Sequence, residues 1–380
     1  MLRIAFFTTT RAEFGIMSSF IRKIQNHKQF EALLFVGGTH LKKEYGNTIE
    51  EIKSLDIKIT DTFDYLQKGN SSYSIAKSSG QCGIELARIF KKYDFDIISI
   101  LGDRYELIPI TLTALLFNKP IIHWGGGEFT EGVIDNQIRH MVTKASNIHF
   151  VAALQYADNI VSMGEKPERV CVTGSPVIEN FKKIIPISKA ELFADLGLTN
   201  NKAVVLLTYH PVTIELKTSP LQQIKNLFEA LNHFDFQIVI TAPNLESDRD
   251  VIMDYIYTEV KNNSDVHYFE SLGIRRYHSL IPYCSFLIGN SSSGIFEAPY
   301  FKVPTINIGD RQKGRFMHVS VINTNYTEQS IIETINKSLD ETFVNSLKNM
   351  DYEFGDGRAS EIAIEYLKKI EINERLIRKV

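Results

Sequence analysis

Three carboxylates in the first 140 residues of this 380-residue chain stand where short apolar runs give way to polar loops. Asp103 follows the run Asp96–Leu101, within Gly102-Asp103-Arg104-Tyr105-Glu106. Glu128 follows Pro120–Trp124 across three glycines, Gly125, Gly126 and Gly127, which let the backbone come close to a ligand. Asp135 precedes a helical stretch that carries Arg139 and His140. Singly, each carboxylate has a plainer use: Asp103 and Asp135 as helix N-caps, Glu128 as a surface loop residue. Grouped at neighbouring strand ends, they are equipment for general acid–base chemistry. Upstream, Thr8-Thr9-Thr10-Arg11-Ala12-Glu13-Phe14-Gly15 lacks the glycine pattern of a dinucleotide site. Arg11 sits where a strand passes into a helix, placed to hold a phosphate or sugar oxygen, or else solvated in a loop.

The second half repeats this logic with different groups. His210 closes a strand in Tyr209-His210-Pro211, as a site imidazole or a structural one. Gly289-Asn290-Ser291-Ser292-Ser293-Gly294-Ile295-Phe296-Glu297 follows another strand. Its N–H groups and hydroxyls suit a diphosphate, and Glu297, a turn further on, suits the hydroxyls of a ribose. A structural strand–helix turn is the plainer alternative. Arg311, Lys313 and Arg315 crowd the loop after Pro304–Ile308, as diphosphate contacts or as a solvated loop.

Such positions need parallel sheets, whose ligands gather beyond the carboxyl ends of the strands. The chain supplies the pattern: Arg3–Thr9, Ala32–Val36, Asp96–Leu101, Pro120–Trp124, Ile148–Val151 and Arg169–Val172 read as strands, with helices between them. After Thr173-Gly174-Ser175-Pro176 the rhythm breaks. A capping box at Ser188-Lys189-Ala190-Glu191 opens a new helix, and five further strands follow: Ala203–Tyr209, Phe236–Ala242, Val266–Phe269, Ser285–Ile288 and Pro304–Ile308. The expectation is an α/β protein of two Rossmann-like domains facing across a cleft. Residues 1–175 form the first, 176–357 the second, and a C-terminal helix at about 358–380 packs back on the first. The composition (44% hydrophobic, 23% charged, formal charge −3) suits a soluble protein and gives no reason to expect nucleic acid. The start of the chain is too short and too soon charged for a signal peptide or a membrane span. Three scattered cysteines, Cys82, Cys171 and Cys284, read as reduced residues of a cytoplasmic protein.

Taken together, Thr10–Gly15, Gly102–Glu106, Gly126–Glu128, Ile138–His140, Gly289–Gly294 and Asn307–Arg315 resemble the hydrolysing UDP-N-acetylglucosamine 2-epimerases. The Gly-Asp-Arg-Gln-x-Gly-Arg run at 309–315 resembles that branch rather than the non-hydrolysing one. The resemblance implies a GT-B-like fold and a nucleotide-sugar substrate. It also implies chemistry with no metal and no cofactor, and a homo-oligomer, a dimer or tetramer. The implied reaction is anti elimination of UDP to a glycal followed by hydration, with the sugar feeding sialic- or legionaminic-type acids and capsule polysaccharide. By the same resemblance Asp103, Glu128 and Asp135 are the acid/base set, and Arg11, His210 and Arg315 stabilise the departing diphosphate. Arg139, His140, Ser291, Ser292, Ser293, Gly294, Glu297 and Arg311 bind substrate or nucleotide.

One position departs from the family's pattern. Gly125 stands where a second histidine often precedes Gly-Gly-Glu. A smaller residue there keeps open a 2,4-diacetamido-2,4,6-trideoxyglucose donor, on UDP or GDP. A GT-B glycosyltransferase would share fold and donor but needs an acceptor groove where this chain has carboxylates. A non-catalytic nucleotide-sugar sensor would have little use for so many ionisable groups at strand ends.

Overall fold

A computed structural model describes residues 1–69, 71–130, 134–211, 218–243 and 249–379. The chain divides into two compact units, one of residues 1–129, 133–180 and 353–380, the other of 130–132 and 181–352.

The first unit is built on seven parallel strands: β1 (Leu2–Thr8), β2 (Phe30–Gly37), β3 (Ile59–Phe63), β4 (Ile97–Leu101), β5 (Ile121–Trp124), β6 (Ile148–Val151) and β7 (Val170–Val172). Their order is β3-β2-β1-β4-β5-β6-β7. Both faces of the sheet are covered, so the strands are apolar at successive positions rather than alternate ones. In β1, Ile4 and Phe6 join a core with Phe20 and Trp124, while Ala5 and Phe7 join another with Phe35 and Leu86 on the opposite face. The helix Ala359–Leu367 returns from the end of the chain and contributes Ala359, Ala363 and Leu367 to the first of these cores. Glu179, almost wholly buried, ties that return: it accepts hydrogen bonds from Ser19 Oγ (2.5 Å) and Ser360 N (3.1 Å) and pairs with Lys23 (3.0 Å).

The second unit repeats the plan with β8 (Ala203–Thr208), β9 (Phe236–Thr241), β10 (Val266–Phe269), β11 (Cys284–Gly289), β12 (Thr305–Ile308) and β13 (Val321–Thr324), all parallel. Their order is β10-β9-β8-β11-β12-β13. The helix Lys189–Leu196 opens as its sequence dictates, with Ser188 capping the N–H of Glu191. In both sheets the winding reverses beside the first strand, between β1 and β4 and between β8 and β11. A crevice for ligands opens at such a reversal.

Two strands escape the sequence reading, β3 and β13, and both are sheet edges. β3 reads Ile-Thr-Asp-Thr-Phe, and only Phe63 is buried. Burial would raise the Asp61 carboxyl, but a hydrogen bond from the Thr62 N–H together with Lys92, Arg88 and Tyr93 holds it far below the usual range. An edge strand with one solvated face carries no continuous apolar run, so its signal is weak. Among the described residues no helix is long and apolar enough to cross a membrane, and no group of three His, Cys, Asp or Glu could hold a metal ion. The three cysteines are unbridged.

Candidate active site

In the first unit one buried guanidinium holds the Asp103 carboxylate and the backbone of Glu128. Arg139, on the helix Ile134–Ala145, pairs with Asp103 after β4 and donates from Nη1 to the backbone carbonyl of Glu128 after β5 (3.0 Å). Its side chain is 3% exposed against 27% for Asp103, so this charge is desolvated while its partner still reaches water. Arg139, expected to bind substrate, holds the Asp103 and Glu128 segments. Neither aspartate is a helix N-cap. Asp103 stands ahead of the helix Leu107–Leu116, whose N-cap position is Glu106, and Asp135 lies inside the first turn of its helix, exposed. His140 packs against Phe129 (4.9 Å), and burial, with Arg139 beside it, lowers its pKa.

The glycines have distinct tasks. Gly127 (φ 81°) is pressed so close to the chain at Tyr156 that a Cβ would lie 2.2 Å from its carbonyl oxygen. Gly125 (φ 79°) is open: a Cβ there would meet nothing nearer than 3.9 Å. His123, outside the expected site, is fully buried and pins the Asp103 loop. Its Nε2–H donates to Gly102 O (2.8 Å), and Nδ1 is 3.2 Å from Thr143 Oγ1. Burial lowers its pKa to about 3, so the ring is neutral, with the proton on Nε2 dictated by the carbonyl it faces.

At the β1/β4 reversal Glu13 accepts from Thr9 N (3.1 Å) and Thr9 Oγ1 (2.9 Å), and its other oxygen is 3.5 Å from Arg104. Arg104 also pairs with Glu106 (2.8 Å), which accepts from Tyr65 OH (3.2 Å). Burial raises the Glu13 carboxyl, opposed by Arg104. This network locks the loop leading to Arg11. The arginine itself is exposed at the start of the helix Arg11–Gln25 and pairs with Glu51 (2.9 Å). A cation at a helix N-terminus opposes the dipole. The helix end and the guanidinium together favour an anion.

In the second unit β8 and β11 are stitched at their ends. Asn290, fully buried, accepts from His210 N (2.7 Å) and donates to His210 O (2.8 Å). Arg311 Nη1 (3.3 Å) and Gln312 Nε2 (2.8 Å) donate to Asn290 O, and Arg315 Nη1 donates to Gln312 Oε1 (2.8 Å). Burial, then Arg311, lowers His210 to about 4, so it is a neutral imidazole rather than a cation. The serine run opens only a single α turn, Ser293–Phe296, before a 3-10 turn, so little helix dipole backs it. Ser293 Oγ lies 2.5 Å from Tyr277 OH and 3.3 Å from Ser291 Oγ, while Ser292 is exposed. Gly294 is a packing residue: a Cβ would lie 2.6 Å from Thr305 Cγ2, and its carbonyl accepts from Thr305 Oγ1 (2.9 Å). Glu297 is 2.7 Å from His278 Nε2. Gly309, Asp310, Lys313 and Arg315 line a cavity of about 770 Å³ beyond β12 and β13. His123, Asn290, Tyr277 and His278 were not singled out from sequence. Asn290 lies inside the Gly289–Gly294 run, but the partners of all four become visible only on folding.

The model of the family described as UDP-N-acetylglucosamine 2-epimerase matches residues 22–368. The chain belongs to this family. It is 34% identical to GDP/UDP-N,N'-diacetylbacillosamine 2-epimerase (hydrolyzing) of Campylobacter jejuni, over 85% of this chain and 84% of the relative. It is 32% identical to Polysialic acid biosynthesis protein P7 of Escherichia coli, over 97% of this chain and 94% of that one. Among solved structures, the Neisseria meningitidis UDP-GlcNAc 2-epimerase bound to UDP-GlcNAc superposes with a TM-score of 0.81 at 20% identity, over 97% and 100% of the two chains. That likeness gives this member of the epimerase family a GT-B-like fold.

Proposed function

We propose that this epimerase-family chain is a hydrolysing 2-epimerase that converts UDP-N-acetylglucosamine and water into UDP and N-acetylmannosamine. The observation that carries this reading is the arrangement around the helix Ile134–Ala145: Asp135 in its first turn, and Arg139 clamping both Asp103 and the Glu128 segment. The proton on sugar C2, the carbon bearing the acetamido nitrogen, has no adjacent carbonyl to form an enolate, so it leaves only once the C1–O bond is breaking. That bond takes its electron pair to UDP, and oxocarbenium character builds at C1. Carboxylates stabilise this charge, and one of them removes the C2 proton to give the glycal. Water then delivers hydroxide to C1, and a proton returns to the opposite face of C2. Asp103, Glu128 and Asp135 form the acid/base set. Arg11, Arg315 and the neutral N–H of His210 meet the charge on the departing diphosphate. Ser291, Ser292, Ser293 and Arg311 hold phosphate, and Glu297 holds ribose. The sugar would feed sialic-type acids and surface polysaccharide.

A second reading concerns the donor alone. The open space at Gly125 favours a bulkier sugar, the 2,4-diacetamido-2,4,6-trideoxy donor on UDP or GDP. Proton NMR of the sugar formed from UDP-N-acetylglucosamine in D2O tests both readings. Release of UDP with N-acetylmannosamine deuterated at C2, without any acceptor, is the expected result. Turnover of the diacetamido donor alone selects the second reading. Inertness toward all these donors, or sugar transfer only to an added acceptor, overturns the epimerase assignment.

A further inference from the structure

The helix Gly273–Leu280 places Tyr277 and His278 side by side, and each reaches a different part of the Ser291–Glu297 segment. Tyr277 OH lies 2.5 Å from Ser293 Oγ, and His278 Nε2 lies 2.7 Å from Glu297 Oε2. The His278 ring is packed among aromatics, with centroids at 4.1 Å from Phe181, 6.0 Å from Tyr277 and 6.4 Å from Phe301. It is 6% exposed, and its Nδ1 has no hydrogen-bond partner. A leucine or phenylalanine would fill that cage without leaving a buried nitrogen unpaired. The imidazole is explained by its single hydrogen bond, in which Nε2–H donates to the carboxylate. The backbone around Glu297 is already fixed, between the turn Ser293–Phe296 and the 3-10 turn Ala298–Phe301. Its side chain, 22% exposed, has no other side-chain partner among the described residues, and Oε1 is left unengaged.

We propose that His278 is a positioning residue for Glu297, fixing one carboxylate oxygen so that the other accepts hydrogen bonds from the ribose hydroxyls of a bound nucleotide. The inference rests on the reading of Glu297 as the ribose acceptor. Holding the carboxylate in one rotamer removes the freedom it would otherwise lose on binding, so the histidine acts on nucleotide affinity without touching the nucleotide.

Calorimetric titration of the full chain with UDP and GDP, each beside its 2′,3′-dideoxy form, tests the inference. The native protein should prefer the ribonucleotide. His278→Leu should weaken ribonucleotide binding by roughly tenfold and leave the dideoxy form within about twofold, so that the preference collapses. His278→Asn, which keeps a donor, carries the same comparison if the leucine variant fails to fold, and should retain more of the preference. Equal losses for both ligand forms would mean a merely structural histidine and overturn the proposal. So would an unchanged preference in His278→Leu when Glu297→Gln abolishes it. If Glu297→Gln also leaves the preference intact, or neither ribonucleotide binds, the ribose reading itself has failed, and the inference with it.

Discussion

Arg139 is the residue on which the first-unit site turns. Its guanidinium satisfies a carboxylate and a backbone carbonyl at once, a geometry that a lysine ammonium on a flexible stem does not reproduce. Arg139→Met should lower stability by about 1–3 kcal/mol in urea unfolding, less than a fully buried pair because Asp103 still reaches water. It should also cut kcat more than KM, because the carboxylates lose their setting. The amide variants Asp103→Asn, Glu128→Gln and Asp135→Asn leave the shape intact and remove the ionisable group. Each is expected to lower turnover by about 10²–10⁴-fold in steady-state assays. Losses within threefold in all three would displace the acid–base assignment. His210, at about 4, is neutral across the working range. Any limb of the pH–rate profile between 6 and 8 should therefore survive in His210→Gln, though the rate itself falls.

The turns that end the strands set the site as much as the side chains do. Gly289 (φ 135°) passes so close to β8 that a Cβ would lie 2.0 Å from Thr208 O, and Asn290 then closes the β8–β11 seam with two reciprocal hydrogen bonds. Replacing Asn290 by Ala strands a buried N–H and a buried carbonyl. A loss of about 2–4 kcal/mol in urea unfolding is expected, together with weaker nucleotide binding in calorimetry. The serines beside it are legible as a phosphate motif in sequence, but the extent of helix behind them is not. Pro299 marks a stop within a few residues, but that only Ser293–Phe296 forms an α turn, with Ala298 and Pro299 buried in the 3-10 turn behind it, is settled on folding. The same holds at β3 and β13, where edge position replaces an apolar run with polar residues held by neighbours.

Two properties belong to the whole molecule. Burial lowers His123 to about 3 and His40, His210 and His318 to about 4, each from an ordinary value near 6.5. Between these values and 6.5 the unfolded chain binds protons that the folded protein refuses, so stability rises with pH through that window. It is lost on acidification below about 6.5, at about 1.4 kcal/mol per pH unit for each histidine. Tm measured from pH 7 down to 4.5 should fall steadily, and His123→Asn should flatten the slope. The chain also contains a single tryptophan, Trp124, buried against Phe20 and Phe150 in the core that the helix Ala359–Leu367 completes. Deleting residues 358–380 should shift its emission to the red and lower the thermal midpoint seen by fluorescence. An unshifted spectrum would mean that the core closes without the returning helix.

Apart from the edge strands β3 and β13, the two α/β sheets are legible in the sequence, because parallel strands covered on both faces must be apolar at nearly every position and the helices between them must cap and turn where Ser, Thr and Gly allow. The sequence also determined which loops carry polar groups, since these must follow the strand ends. Folding adds the partnership of those groups. Arg139 reaches Asp103 and the Glu128 carbonyl, His123 holds Gly102, Asn290 joins two strands, and His278 meets Glu297. Each pairing spans segments distant in the chain, and burial is what makes it strong, by removing the water that would otherwise compete for the same hydrogen bonds.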